Sequence, residues 1–143
     1  MSKVEGQFNF CVAAVIENPE GEILVIKRSP NNFPENIWDI AGGGVELFEN
    51  PFDALQREVE EETGISEFKI VRTLCDFHFY QENEFPDMVG IAFWCKTNQI
   101  KIKLSKEHVA FKWLQPEEAL KISTHPDVTR CIEKFIEEKK RIS

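Results

Sequence analysis

The chain has 143 residues, 42% of them hydrophobic and 29% charged, which suits one domain around one core better than two. No apolar run approaches the roughly 20 residues that cross a bilayer, and Met1–Gln7 lacks the basic start and apolar stretch of a signal peptide, so neither a membrane nor an export route is expected. The formal net charge of −8 opposes sequence-independent binding to nucleic acid, which needs a basic face. A small phosphorylated substrate stays open if cations sit between it and the acids.

Phe8–Ile16 is rich in β-formers and reads as a strand. The turn signal Asn18-Pro19-Glu20-Gly21 and a second strand, Ile23–Ile26, then predict a hairpin. Ser29–Asn36 holds two prolines and three asparagines and reads as a loop. A short strand over Trp38–Ile40 leads into Gly42-Gly43-Gly44. Asn50-Pro51-Phe52-Asp53 starts a helix, with Asn50 as N-cap and Pro51 at the first helical position. Gly64 stops it with a left-handed cap. Phe68–Tyr80 and Met88–Lys96 read as long strands joined by a polar turn over Gln81–Asp87. Short strands are expected at Ile100–Leu104 and Val109–Leu114, and Pro116–Leu120 opens a short helix. The last helix starts near Thr124-His125-Pro126 and carries Val128, Cys131, Ile132, Phe135 and Ile136 on one face. The sum is a mixed sheet with helices packed on it, an α+β pattern without internal repeats or linkers.

Cys11, Cys75, Cys95 and Cys131 form no C-x-x-C pair and read as free thiols on mostly buried faces, with a reducing cytoplasm as the default setting. His78, His108 and His125 show no metal-ligand spacing. The seven aromatics Phe8, Phe10, Trp38, Phe79, Tyr80, Phe111 and Trp113 are expected mostly in the core, with one or two free to stack on a base. Gly42-Gly43-Gly44 fails as a dinucleotide fingerprint because Leu47 stands where the last glycine belongs, and no P-loop lysine follows. Lys27 and Arg28, at the end of the second strand, are candidates for reaching substrate phosphates, beside the alternative of surface residues with buried stems.

The acids are concentrated. Glu46 to Glu62 contain seven of them and one base, Arg57. On a helix, Glu58, Glu61 and Glu62 fall within one arc of roughly 100°. Phe52, Leu55 and Val59 form an adjoining apolar stripe, and Glu60 points elsewhere. Carboxylates crowded this way repel each other and invite hard cations, Mg²⁺ or Mn²⁺ rather than zinc. Taken alone, the stretch reads as a solvated acidic face with Arg57 pairing to Glu61.

The surrounding window changes that reading. Residues 43–65 fit G-x5-E-x7-R-E-U-x-E-E-x-G-U at every fixed position, with U aliphatic, running from Gly43 through Glu49 and Arg57 to Ile65. This window resembles the Nudix family of hydrolases, and the likeness extends to the preceding strand and to Trp113-Leu114-Gln115-Pro116-Glu117-Glu118. The resemblance implies a single Nudix domain over residues 1–143, an α/β/α sandwich with a mixed sheet and helices on both faces. It implies Glu58, Glu61 and Glu62 as metal-binding glutamates, with Glu58 also the candidate base and Arg57 orienting these carboxylates. Glu49 would pair with Arg57 and fix loop against helix, Gly64 would be structural, and the Gly42-Gly43 backbone would approach metal or phosphate closely. Glu107 is the candidate for a further acid outside the box, against simple surface exposure.

Two positions depart from the family pattern: Ala41 stands where proline is common and Phe48 where glycine is common. Phe does not take positive φ cheaply, so a different turn is expected there. Family marks outside the box are mostly missing, including a proline expected at Gln81 for ADP-ribose-type members. The implied activity is Mg²⁺-dependent hydrolysis of a nucleoside triphosphate, oxidised ones included, to monophosphate and pyrophosphate by a MutT-like enzyme, with Mn²⁺ as an alternative ion. A pyrophosphatase for ADP-ribose or a nucleotide sugar, and a non-catalytic nucleotide-binding domain, are the alternatives. The expected partner is a small nucleotide, without nucleic acid or membrane, and a homodimer is left open.

Overall fold

A computed structural model describes residues 8–79 and 87–142. Tyr80 and nearly all of the turn expected over Gln81–Asp87 lie outside them. The elements in chain order are β1 (Phe8–Glu17), β2 (Ile23–Arg28), β3 (Trp38–Asp39), β4 (Ala41–Gly44), α1 (Pro51–Thr63), β5 (Lys69–Phe79), β6 (Asp87–Lys96), β7 (His108–Leu114), α2 (Pro116–Ile122) and α3 (Pro126–Ile142). The sheet runs β3-β2-β1-β6-β5, with β4 also paired to β1 and β7 to β2. Among the described strands β1 and β6 pair in parallel and the other pairs are antiparallel. This is the mixed sheet that the strand pattern predicts. No helix among the described residues is long and apolar enough to cross a membrane.

Alternation along β1 explains the layers. Cys11, Ala13 and Val15 face one way, into a core with Trp94, Val128, Ile132 and Phe135, so α3 packs on that face. Val12, Ala14 and Ile16 face the other way, against Leu55 and Val59 of α1. A strand buried on both faces loses the polar–apolar alternation of a half-exposed one and reads as a continuous apolar run. Burying Leu55 and Val59 contributes roughly 1.5–3 kcal/mol each to seating α1.

The hairpin expected of β1 and β2 forms with a short ladder, whereas the strand expected over Ile100–Leu104 does not form. The β1–β2 hairpin is joined at its turn, but its ladder is a single pair, Glu17 with Ile23. Beyond it β1 turns its edge to β4 and β2 pairs with β7, because each partner offers a longer ladder. Residues 100–104 form no strand. Their apolar residues Ile102 and Leu104 do pack on the core, but the backbone is used elsewhere. Lys103 N–H donates to Thr63 C=O at 2.9 Å and Ser105 N–H to Glu62 C=O at 3.4 Å. The segment thus satisfies carbonyls that the end of α1 leaves without partners.

Candidate active site

The site is built where β4 meets α1. Asn50 caps α1 by accepting from Phe52 N–H at 2.8 Å, and Gly64, at φ 78°, ends it. A Cβ on Gly42 would lie 2.3 Å from Val12 C=O, and one on Gly43 would lie 2.3 Å from the Glu58 carboxyl carbon. Both glycines are therefore dictated by close approach, the first to β1 and the second to α1. The buried face of α1 comprises Ala54, Leu55, Val59, Glu62 and Thr63, whereas Phe52 lies largely in solvent. Glu62 continues the Leu55–Val59 seam and is only 6% exposed.

Arg57 organises the rim. Its Nε and Nη2 donate to both oxygens of Glu49 at 2.9 Å. Its Nη1 donates to Glu58 Oε1 at 2.8 Å and its Nη2 to Gly44 C=O at 3.0 Å. Glu61, 58% exposed at its side chain, stands 3.6 Å from the same guanidinium. These bonds from Arg57, with the Glu46 N–H, hold the Glu49 carboxyl down to about 2. Glu46 and Glu49 are also joined by a backbone bond of 3.0 Å. That closed turn explains Phe48, which takes φ 67° rather than the different turn expected for a phenylalanine. The left-handed position costs roughly 1–2 kcal/mol, and the ring is 98% exposed.

Behind the rim lie groups with little compensation. Glu62 Oε1 accepts from Gly42 N–H at 2.8 Å. Burial, then the neighbouring Glu58, Asp39 and Glu107, push its carboxyl up to about 8 despite that bond. Burial also raises Glu58 against the lowering effect of Arg57. Glu62, Glu107 and His108 each bring a ligand atom within 4.8 Å of the others. Glu107 and His108 arrive there because β7 pairs with β2 up to Arg28, past an irregularity at Lys27/Arg28, and Ser29 N–H ties down Glu107 C=O at 2.9 Å. His108 is 5% exposed, its Nδ1 has no hydrogen-bond partner among the described residues, and burial pushes its pKa down to about 4. A divalent cation fits this donor set: clustered carboxylates, of which Glu58 and Glu62 are pushed toward neutrality mainly by burial, an unsatisfied neutral imidazole, and a glycine edge that admits close approach.

Arg28 has a different position from the phosphate contact expected of it. Its guanidinium is 3.1 Å from Asp39 and also donates to Asn32 and to Phe33 C=O, so its donors are engaged in fixing β3 and the loop that precedes it. Among the aromatics expected mostly in the core, Phe10, Trp38 and Trp113 pack against its edges, whereas Phe8 and Phe111 are exposed. Sequence reading missed Asp39 and Asp127. They line a cavity of about 130 Å³ together with Cys11, Ile40, Gly42 and Gly43, on the α3 side of the glycines. No local spacing signals these residues, because β3 and α3 bring them together only through the sheet.

The family model described as NUDIX domain matches residues 8–135. A "MutT-like protein" of Streptomyces ambofaciens is 33% identical over 75% of this chain, which spans 64% of that relative's length. The "CTP pyrophosphohydrolase" of Escherichia coli (strain K12) is 31% identical, with 87% of this chain and 89% of that protein covered. Among solved structures, the MutT protein from Methanosarcina mazei Go1 superimposes with a TM-score of 0.81 at 30% identity, covering 96% of this chain and 99% of that one.

Proposed function

The chain belongs to the Nudix family, and we propose that it is a divalent-metal-dependent pyrophosphohydrolase that cleaves a nucleoside triphosphate to the monophosphate and pyrophosphate. The observation that carries this reading is the convergence of Glu62, Glu107 and His108, with Glu58 against Gly43, beside the Gly42-Gly43 edge and next to a cavity. The relative named for CTP hydrolysis supports a nucleotide substrate, and the net charge of −8 favours a small one over a nucleic acid.

Glu58, Glu62 and Glu107 would hold Mg²⁺ or Mn²⁺, with Glu61 at the exposed rim completing the set. When bound, the ion supplies positive charge to the phosphate oxygens and to the departing pyrophosphate. The chain's own residues do the positioning. Glu49 and Arg57 lock the rim, and Arg57 occupies Glu58 Oε1. Glu58 Oε2 is then the atom suited to take a proton from the attacking water, worth about 10²- to 10⁴-fold. The cavity beyond Gly42 and Gly43 would receive the nucleoside, with Asp39 and Asp127 as acceptors for its N–H groups.

The test is product analysis of the EDTA-treated protein, with and without Mg²⁺, over nucleoside triphosphates, ADP-ribose and a 5′-triphosphorylated RNA in ¹⁸O-labelled water. Monophosphate and pyrophosphate, with label in one of them, are expected from a nucleoside triphosphate. Labelled orthophosphate would overturn the cleavage site, and undiminished turnover in EDTA would overturn the metal assignment. Cleavage of ADP-ribose or RNA alone would overturn the substrate.

A further inference from the structure

Cys75 on β5 and Cys131 on α3 are 56 residues apart in sequence, yet their Sγ atoms stand 3.3 Å apart. We propose that this pair is a covalent modification site, at which a hydroperoxide drives a disulfide that staples α3 to β5. Bonding requires the sulfurs to close by about 1.2 Å, to the usual S–S length near 2.05 Å.

The two thiols differ in the way such a reaction needs. Cys75 is half-buried, whereas Cys131 is 2% exposed. Arg130 donates to Asp76 C=O and approaches its carboxylate at 4.0 Å, which places a cation beside Cys75. The hydrogen bond shared with Cys131, then the charges of Arg130 and Lys134, hold Cys75 down to about 7, while that same bond and burial drive Cys131 upward. Cys75 is therefore the more accessible and more acidic thiol and Cys131 its buried partner. Burial sends Cys11 and Cys95 to about 11 and about 12, so neither competes as a nucleophile.

The Cys75 thiolate attacks one peroxide oxygen, forming S–O and breaking O–O, and the released alkoxide or hydroxide takes a proton. Cys131 then gives up its proton and its sulfur attacks the Cys75 sulfenic acid, forming S–S as hydroxide leaves and becomes water. Two thiols lose two electrons in all, and one hydroperoxide is reduced to an alcohol and water, or to two waters from hydrogen peroxide.

The consequence falls on the cavity. Cys131 lines it together with Asp127 and Val128 of the same helix, so the staple fixes that wall to the sheet. This inference does not depend on the proposed reaction, because its readouts are thiol chemistry and stability.

The full chain, stripped with EDTA, is treated with a stoichiometric amount of hydrogen peroxide at neutral pH. Thiols titrated after denaturation should fall from the four of the sequence to two, and peptide mapping should join Cys75 to Cys131. Dithiothreitol should reverse both changes. Tm should rise by about 5 °C or more, and amide exchange across α3 should slow. In Cys131→Ser, dimedone should trap a sulfenic acid at Cys75. Retention of all four thiols, or a disulfide between any other cysteines, would overturn the proposal; mapping of the unmutated protein decides this even if the variant fails to fold.

Discussion

Glu62 is the residue on which stability and function pull in opposite directions. It sits in the apolar seam of α1 with Leu55 and Val59, and among the described residues its carboxyl accepts a hydrogen bond from Gly42 N–H alone. Its carboxyl is raised to about 8, so the folded state prefers it protonated. For an acid shifted this way, stability is fully present below the ordinary carboxylate pKa and is lost as pH rises through about 8. His108, lowered to about 4, acts in another window: its contribution is complete above about 6.5 and is lost as pH falls toward 4. Between about 6.5 and 8, Glu62 alone of the two titrates. In metal-free protein, Glu62→Gln should therefore raise Tm by roughly 2–8 °C at pH 8 and by less at pH 6, while abolishing turnover. Glu60→Gln, on the exposed face, should change neither by much. An equal gain in Tm at both pH values would show that ionisation of Glu62 is not the cause. The box made these carboxylates legible because one helix carries them at fixed spacing. His108 and Asp39 were not legible, since each reaches the site only through the pairing of β7 and β3 with β2.

At the scale of elements, α1 depends on a segment that alternation alone misassigns. Ile100, Ile102 and Leu104 alternate like a strand, but both edges of β2 and of β1 are already taken by β3, β7, β4 and β6. The segment's donors turn to the end of α1 instead, from Lys103 to Thr63 C=O and from Ser105 to Glu62 C=O. Gln99 is the hinge of this arrangement. Its Oε1 accepts from Ser66 N–H at 3.0 Å and Glu67 N–H at 3.2 Å, and its Nε2 donates to Gly64 C=O at 2.9 Å. Each such bond contributes about 0.5–1.5 kcal/mol net. Gln99→Ala should lower stability by roughly 1–3 kcal/mol, read as a lower midpoint in urea with an unchanged slope. Turnover per folded molecule should change little, because these bonds reach Gly64, Ser66 and Glu67, past the end of α1. A large loss of turnover without a loss of stability would mean that this segment shapes the site directly. Capping signals at Asn50 and Gly64 were readable because they are local; the partner of the last carbonyls was not, because it arrives from beyond β6.

Over the whole molecule, one sheet carries two cores, and the acidic site sits where β4 and α1 meet at the edge of one of them. Most of the net charge of −8 is gathered there, so the folded state concentrates repulsion that the unfolded chain disperses. A cation that binds only the folded arrangement relieves it, and the stabilisation grows with concentration as RT ln(1 + [L]/Kd). At about 100 times Kd that amounts to about 2.7 kcal/mol, or roughly 5–10 °C in Tm for a chain of this size. The pH dependence supplies the discriminating feature. Metal binding must displace the proton that burial places on Glu62, whose carboxyl is raised to about 8, so affinity should increase with pH through that range. The Tm gain from a fixed Mg²⁺ concentration should accordingly be larger at pH 8 than at pH 6, and Glu62→Gln should abolish most of it. Glu60→Gln should leave both the gain and its pH dependence in place. Scanning calorimetry with Mg²⁺, with Mn²⁺ and with EDTA at the two pH values measures all of this without assaying turnover. A gain independent of pH, or one retained in Glu62→Gln, would place the ion on the exposed rim around Glu61 and away from the buried cluster.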